Sequence, residues 1–484
     1  MVLFKKQTWL TVGLLLTLTA CGGGGGGGSN DTNDAVAPHV LPGLITASRL
    51  FDANGDGKLD LVIGSQDGDS PPSDILLLND GMGNFTRLDG TLPNHYLGSE
   101  GATVDFETAD FNGDGFTDLL TSTVDSRQET FYQTGQIHLF LGNNDGKFID
   151  ASENIQGNLI NEPPSGTLVY QWVEQVQAGD FDLDGNMDFI ISIAGCGSAP
   201  LDCIGGRIYL NDSTGKFAPG IITSTDTPFS TETYAYDKLV WRNYSGGGLR
   251  VALELYVGDV NNDGKLDIVA PNAYAAGAYA TFINTSTPGN LTFNITYTYQ
   301  LDKENPPYGT TYIKGGALLD INADGFLDLV GSPSIREPSL IPGETNVNSA
   351  PVYAFINQGD GSFVEDNTIF LPLQPGVAHA RGWLVDDFNQ DGVSDLFVAD
   401  HGDDYGDYPG YPNLLLLNRS PGMLDDVSTA LLGNANTYTH GASSGDVNGD
   451  GFPDLFLNNS STRGGPRLLL NESGTGFSPD DSGL

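Results

Sequence analysis

Apolar runs of three to six residues recur along this chain, each bounded by clusters of Asp, Asn, Gly and Ser. In the first repeat Leu59 to Gly64 reads as a strand, Ser65 to Asp74 as a polar loop, and Ile75-Leu76-Leu77-Leu78 as a further strand. Asn79-Asp80-Gly81-Met82-Gly83-Asn84-Phe85 then turns the chain into another strand. The same grammar returns at Ile137 to Phe148, Arg207 to Phe217, Ala280 to Phe293, Val352 to Phe363, Leu414 to Leu424 and Leu468 to Phe477. Strands this short and this apolar suit sheets covered on both faces. The Phe or Leu after each turn is expected to pack between neighbouring sheets.

A second pattern precedes each of these runs: Asp-x-Asn/Asp-x-Asp-Gly-x-x-Asp, seven times. Position one is Asp52, Asp110, Asp180, Asp259, Asp320, Asp387 and Asp446, and position three is Asn54, Asn112, Asp182, Asn261, Asn322, Asn389 and Asn448. Position five is Asp56, Asp114, Asp184, Asp263, Asp324, Asp391 and Asp450, and position nine is Asp60, Asp118, Asp188, Asp267, Asp328, Asp395 and Asp454. Calcium takes six to eight oxygens at about 2.3–2.6 Å, and a tight loop that turns at a glycine presents alternate side chains inward to supply them. The loop begins like an EF-hand but never carries Glu at position twelve, and a strand rather than a helix follows. Seven calcium sites are therefore expected.

The loops start 58, 70, 79, 61, 67 and 59 residues apart, a repeat that accommodates one four-stranded blade with its connections. The motif and its count resemble the FG-GAP or VCBS-type repeat of integrin-alpha-like N-terminal propellers. That resemblance implies an all-β fold, a seven-bladed β-propeller of four-stranded antiparallel blades with calcium loops between strands one and two, covering residues 39–484. The chain ends soon after Phe477, so the segment His39-Val40-Leu41-Pro42 is expected to supply the outer strand of the last blade.

Residues 1–20 read as an export signal: Lys5 and Lys6, then an apolar run through Leu14-Leu15-Leu16. Leu18-Thr19-Ala20-Cys21 resembles a bacterial lipobox, which implies a lipid-bearing Cys21 and a lipoprotein of the cell envelope, held by the outer membrane if the host is Gram-negative. Seven glycines from Gly22 to Gly28 open a flexible tether over residues 21–38. Net charge is −42, or −44 once Lys5 and Lys6 are removed, and this excludes the basic footprint that nucleic-acid binding needs. Seven divalent ions would bring the charge to about −30. Membrane contact is expected only through the lipid, and the protein is expected to be a monomer.

Cys196 and Cys203, in an exported chain, are expected to form a local disulfide. The longest insertion, Ala218 to Arg250, carries Phe229, Tyr234, Tyr236, Trp241, Arg242 and Tyr244, and a second runs from Asp400-His401-Gly402 to Tyr408. Strand alternation puts both on the face opposite the calcium loops, where they either contact a carbohydrate or protein ligand or pack on themselves. Six residues before each loop stand Thr46, Val104, Glu174, Leu253, Lys314, Arg381 and His440, a ring at the channel mouth on that same face. Its polar members Glu174, Lys314, Arg381 and His440 join Trp241 and Tyr244 as candidate ligand contacts; a solvated ion-pair ring is the other reading. Neither Gly-x-Ser-x-Gly with triad partners nor His-Glu-x-x-His occurs. The sequence favours a calcium-stabilised, non-catalytic adhesion module. The alternative is a calcium-dependent enzyme acting on polysaccharide, a lyase of acidic polymers.

Overall fold

Seven blades of four or five strands follow one another along the described residues, each with one of the Asp-rich loops between its first two strands. The computed structural model describes Leu41 and residues 45–480, apart from segments 66–73, 94–100, 127–132, 144, 157–171, 195–204, 221, 225–233, 237–254, 272–277, 300–312, 334–348, 403–409, 421 and 461–463. In blade one Ile45–Phe51 descends to the loop and returns as Asp60–Ser65, with Phe51 opposite Asp60; Ile75–Asn79 and Phe85–Arg87 complete the sheet. The other blades repeat this order, and blade six gains a fifth strand, Phe370–Leu371, parallel to Met423–Asp426. Neighbouring innermost strands pack in chain order, and the first packs against the last. The result is a seven-bladed β-propeller with the calcium-type loops between strands one and two.

The core is divided into seven clusters, one per joint between blades. Phe217 packs among blade-two residues Leu120 and Leu139, and Phe363 among blade-four residues Val260 and Val269. The aromatic after each turn therefore wedges against the preceding blade, as its position implies. Burying such a ring is worth about 1.5–3 kcal/mol. Position two of each loop fills the joint from the other side: Phe111 lies with Phe189 and Tyr209 of blade three, and Ile321 with Leu396 and Leu414 of blade six.

The expectation that blade seven lacks an outer strand of its own is corrected, and His39, Val40 and Pro42 lie outside the described residues. Blade seven builds all four strands from its own residues, ending in Phe477–Pro479. Asp480 N–H donates to the Leu468 carbonyl at 3.0 Å and extends that pairing. Blades one and seven are joined directly: Asn79 Nδ2 donates to the Val447 carbonyl at 2.8 Å, and Leu41 packs on the blade-one and blade-seven core.

One irregularity recurs at the other end of the strands. In the innermost strands Thr46, Val104, Glu174, Lys314 and Arg381 stand unopposed in the register, and His440 with Gly441 faces a single residue. These are β-bulges, which re-aim side chains and sharpen the local twist. They fall at the ring positions read from the sequence.

Candidate metal loops and a polar channel mouth

Each loop is wound around its first aspartate. In all seven, the position-one carboxylate accepts backbone N–H bonds from positions five and six at 2.7–3.2 Å. Position six is glycine at positive φ, from +81° at Gly57 to +92° at Gly451, a backbone that an L side chain would strain. The turn holds the side-chain oxygens of positions one, three and five together, position three being an amide in all loops but the one with Asp182.

Position nine does more than close the cage. Its Oδ2 accepts the N–H of position two at 2.8–3.0 Å. Its Oδ1 accepts an N–H from the end of strand three at 2.7–2.8 Å. All seven of these aspartates are fully buried. Burial, reinforced by the loop's other carboxylates, pushes them up to about 6 in Asp60, Asp118, Asp267, Asp328 and Asp454, and to about 7 in Asp188 and Asp395. A cation beside them would offset that penalty.

Blade three gives the clearest fit to a metal ion. Asp180, Asp182 and Asp188 bring carboxylate oxygens within 4.8 Å of one another. Asp182 Oδ1 is buried without a hydrogen-bond partner among the described residues. A buried acceptor left without a donor is destabilising unless an ion or water engages it. This cluster can hold a metal ion with an all-oxygen donor set, the kind that hard cations prefer.

The sequence reading overlooked the asparagine that ends strand three. Asn211 Nδ2 donates to the carbonyl of Phe111, position two of the preceding blade's loop, at 2.7 Å. Asn284, Asn357, Asn418, Asn471 and Asn79 do the same to Phe181, Val260, Ile321, Phe388 and Val447 at 2.7–3.0 Å. The signal was present as Asn directly after the strand-three apolar run. Blade two carries Gly142 there.

At the opposite end, the mouth on blades six and seven gathers side chains that the sequence leaves apart. Arg381, on its bulge, donates from Nε to His401 Nε2 at 2.7 Å. That nitrogen is therefore a lone-pair acceptor and the His401 ring is neutral. Ring centroids place His379 4.2 Å, Tyr438 4.7 Å and His440 5.0 Å from His401, with His440 stacked at 19°. Asp400 organises the site: its carboxylate accepts N–H bonds from Ala378 at 2.5 Å and from His379 and Gly402 at 2.8 Å. His401 is fully buried, whereas His379, Arg381 and His440 are half-buried.

Two of the expected mouth residues, Arg381 and His440, are thus brought together through His401. Glu174 occupies the matching bulge three blades away. The backbone of Lys314 sits on the bulge of blade five, and its side chain lies outside the described residues. Leu253, Trp241, Tyr244, Cys196, Cys203 and Cys21 also lie outside them. His379 and Tyr438 escaped the sequence reading although each stands two residues before a ring position, the spacing at which strand side chains share a face.

The model of the FG-GAP-like repeat matches residues 52–121 and 387–457. A phosphatidylinositol-glycan-specific phospholipase D of Dictyostelium discoideum is 28% identical over 212 residues, which are 41% of this chain and 20% of that protein. The chain thus spans about a fifth of that relative's length. Among solved structures, a Bacillus licheniformis rhamnogalacturonan lyase aligns with a TM-score of 0.38 at 14% identity, covering 88% of this chain and 71% of that one. A Trypanosoma rangeli sialidase aligns with 0.34 at 11%, covering 86% and 58%.

The expectation of a non-catalytic adhesion module, with an enzyme less favoured, is corrected here. The aligned structures include a lyase and a sialidase, a likeness of fold alone. The mouth gathers the Arg381 guanidinium, the Tyr438 phenol and the His440 imidazole around His401, where a solvated ion-pair ring was the other expectation. Likeness of this degree assigns no reaction to this chain.

Proposed function

We propose that this protein is a calcium-stabilised, polysaccharide-active enzyme that cleaves uronate-containing polymers by β-elimination, held at the cell envelope through Cys21. The observation that carries the reading is the neutral His401 bonded to Arg381 and stacked on half-buried His440 at the channel mouth. Elimination requires removal of the proton at C5, next to the uronate carboxylate. A cation must neutralise that carboxylate and a base must take the proton. Arg381 is the cation, fixed in direction by His401, and His440 is the base. The C5–H electron pair forms the C4–C5 double bond, the C4–O bond breaks, and the Tyr438 hydroxyl protonates the departing oxygen.

Calcium at the seven loops serves the fold. The loops join strands one and two at the end of each blade away from the mouth, so the elimination runs on the chain's own residues. A metal ion bound there supplies counter-charge to buried aspartates. The test is incubation of the calcium-loaded protein with uronate polysaccharides, followed by the ultraviolet absorbance of unsaturated ends. His440→Ala should reduce the rate by about 10²–10⁴-fold with an unchanged melt. A wild type that yields no unsaturated product from pectate, alginate or rhamnogalacturonan refutes the proposal.

A further inference from the structure

The asparagines that end strand three do not simply brace their own blades. Each takes part in a repeated chain of bonds: its backbone N–H goes to its own position-nine carboxylate, and its amide goes to the preceding loop's position-two carbonyl. The N–H of that same position-two residue is held by the preceding position-nine carboxylate. Two neighbouring metal loops are therefore joined through one asparagine and one loop residue, all fully or nearly fully buried. Six of the seven joints carry this link.

The seventh does not. Blade two has Gly142, whose N–H still reaches Asp118 at 2.8 Å but which has no amide to reach back to Ala53. A side chain there would start 2.1 Å from the Thr117 carbonyl oxygen, so the local backbone excludes one. The same joint also carries the smallest position-two side chain, Ala53, where the other six have Phe111, Phe181, Val260, Ile321, Phe388 and Val447.

We infer that the seven loops load calcium as one coupled row with two ends, running from the blade-two loop through blades three to seven to the blade-one loop. The ring relaxes first between blades one and two when calcium is withdrawn. This rests on the calcium reading given above. Filling one loop fixes its position-nine carboxylate, which fixes position two, which pre-orders the next blade's asparagine and loop. A later ion then meets a site already ordered, which is positive cooperativity.

The test is a calorimetric calcium titration of the full chain stripped with chelator. Wild type should give a Hill coefficient above about 2, since the midpoint depends on several coupled sites. Asn357→Ala, which cuts the row between blades four and five, should lower the coefficient and raise the half-saturating calcium by about fivefold, the worth of one buried hydrogen bond. Asn143→Ala, in the blade-two turn outside the row, should change neither. Hydrogen exchange of the wild type at half-saturation gives a second reading that needs no variant: coupled loops exchange as two populations, protected together or open together. The amides around Ala53 and Leu119 should open first. A Hill coefficient of 1, a wild-type slope in Asn357→Ala, or loop-by-loop protection overturns the coupling. No calcium uptake at all overturns the calcium reading itself.

Discussion

Position nine and position five of the same loop should separate structure from metal binding, and blade three is the place to see it. Asp188 is fully buried, and its carboxylate accepts the Phe181 N–H at 3.0 Å and the Asn211 N–H at 2.8 Å. Asp188→Ala leaves two buried donors without acceptors. At about 1–3 kcal/mol each, that is a loss of about 2–6 kcal/mol, before any metal is considered. Asp184 is exposed and accepts only the Asn186 N–H at 2.8 Å within its own turn. Asp184→Ala should therefore cost under about 0.5 kcal/mol in chelator, as surface changes do. In saturating calcium it should lose part of the ion's stabilisation as well, since the folded state then binds its ligand less well. The measurement is urea denaturation of wild type and both variants, with calcium and with chelator. Asp188→Ala should be destabilised in both conditions, and Asp184→Ala only in calcium. If Asp188→Ala matches wild type in chelator, the dual role assigned to position nine is wrong. If Asp184→Ala is as unstable in chelator as in calcium, the loops owe their stability to something other than a metal.

Burial pushes Asp105 up to about 7 despite the opposing Arg49, with Glu107 raised beside it. The folded state thus binds a proton more readily than the unfolded one between pH 3.8 and about 7. Stability in saturating calcium should fall as pH rises through that window, by at most about 4 kcal/mol at about 1.4 kcal/mol per unit. Asp105→Asn should flatten the slope of urea midpoint against pH, and an unchanged slope removes Asp105 as its cause. A chain of net charge −42 repels a polyuronate, so added salt, which shortens the Debye length from about 10 Å at 0.1 M to about 3 Å at 1 M, should raise kcat/KM on polymer. A fall in kcat/KM with salt would point to attraction and a different substrate. Cys21→Ser should release the protein from membranes if an acyl chain is the anchor, and unchanged partitioning into detergent would rule that anchor out.

The fold was legible because its signals are local and repeated. Alternating oxygens about a glycine specify the loop, and the apolar run after it specifies a strand, so seven copies announce seven blades. What escaped depends on which residues meet across blades. Asn284 and Phe181 are 103 residues apart in sequence, and only the ring brings the amide to the carbonyl. His401 shows the same limit: it was visible as part of a polar loop, but nothing in its neighbours says that Arg381, twenty residues earlier, points a donor at its Nε2. The error over blade seven came from counting strands near Phe477, where three residues, Phe477–Pro479, suffice for an outer strand.

The β-bulges explain why one end of the propeller can vary its side chains while the other repeats its carboxylates. At the loop end, pairing is regular up to position nine, so the carboxylates inherit a backbone fixed by hydrogen bonds at every blade. At the mouth, among the described residues, a bulge turns the ring position of six blades away from the inter-strand register. Those re-aimed positions carry no repeated bonding duty and are free to differ: Thr46, Val104, Glu174, Lys314, Arg381 and His440 share a place but no chemistry. Asp400 then does for blade six what the loop aspartates do elsewhere, cinching three backbone N–H groups with one carboxylate. Replacing Asp400 with Asn would leave at least one of those donors without an acceptor and loosen His379 and His401 together. Asp400→Asn should therefore lower kcat through misplacement of Arg381 and cost about 1–3 kcal/mol of stability in calcium and in chelator alike, while the difference between the two melts, set at the far end of each blade, matches that of wild type.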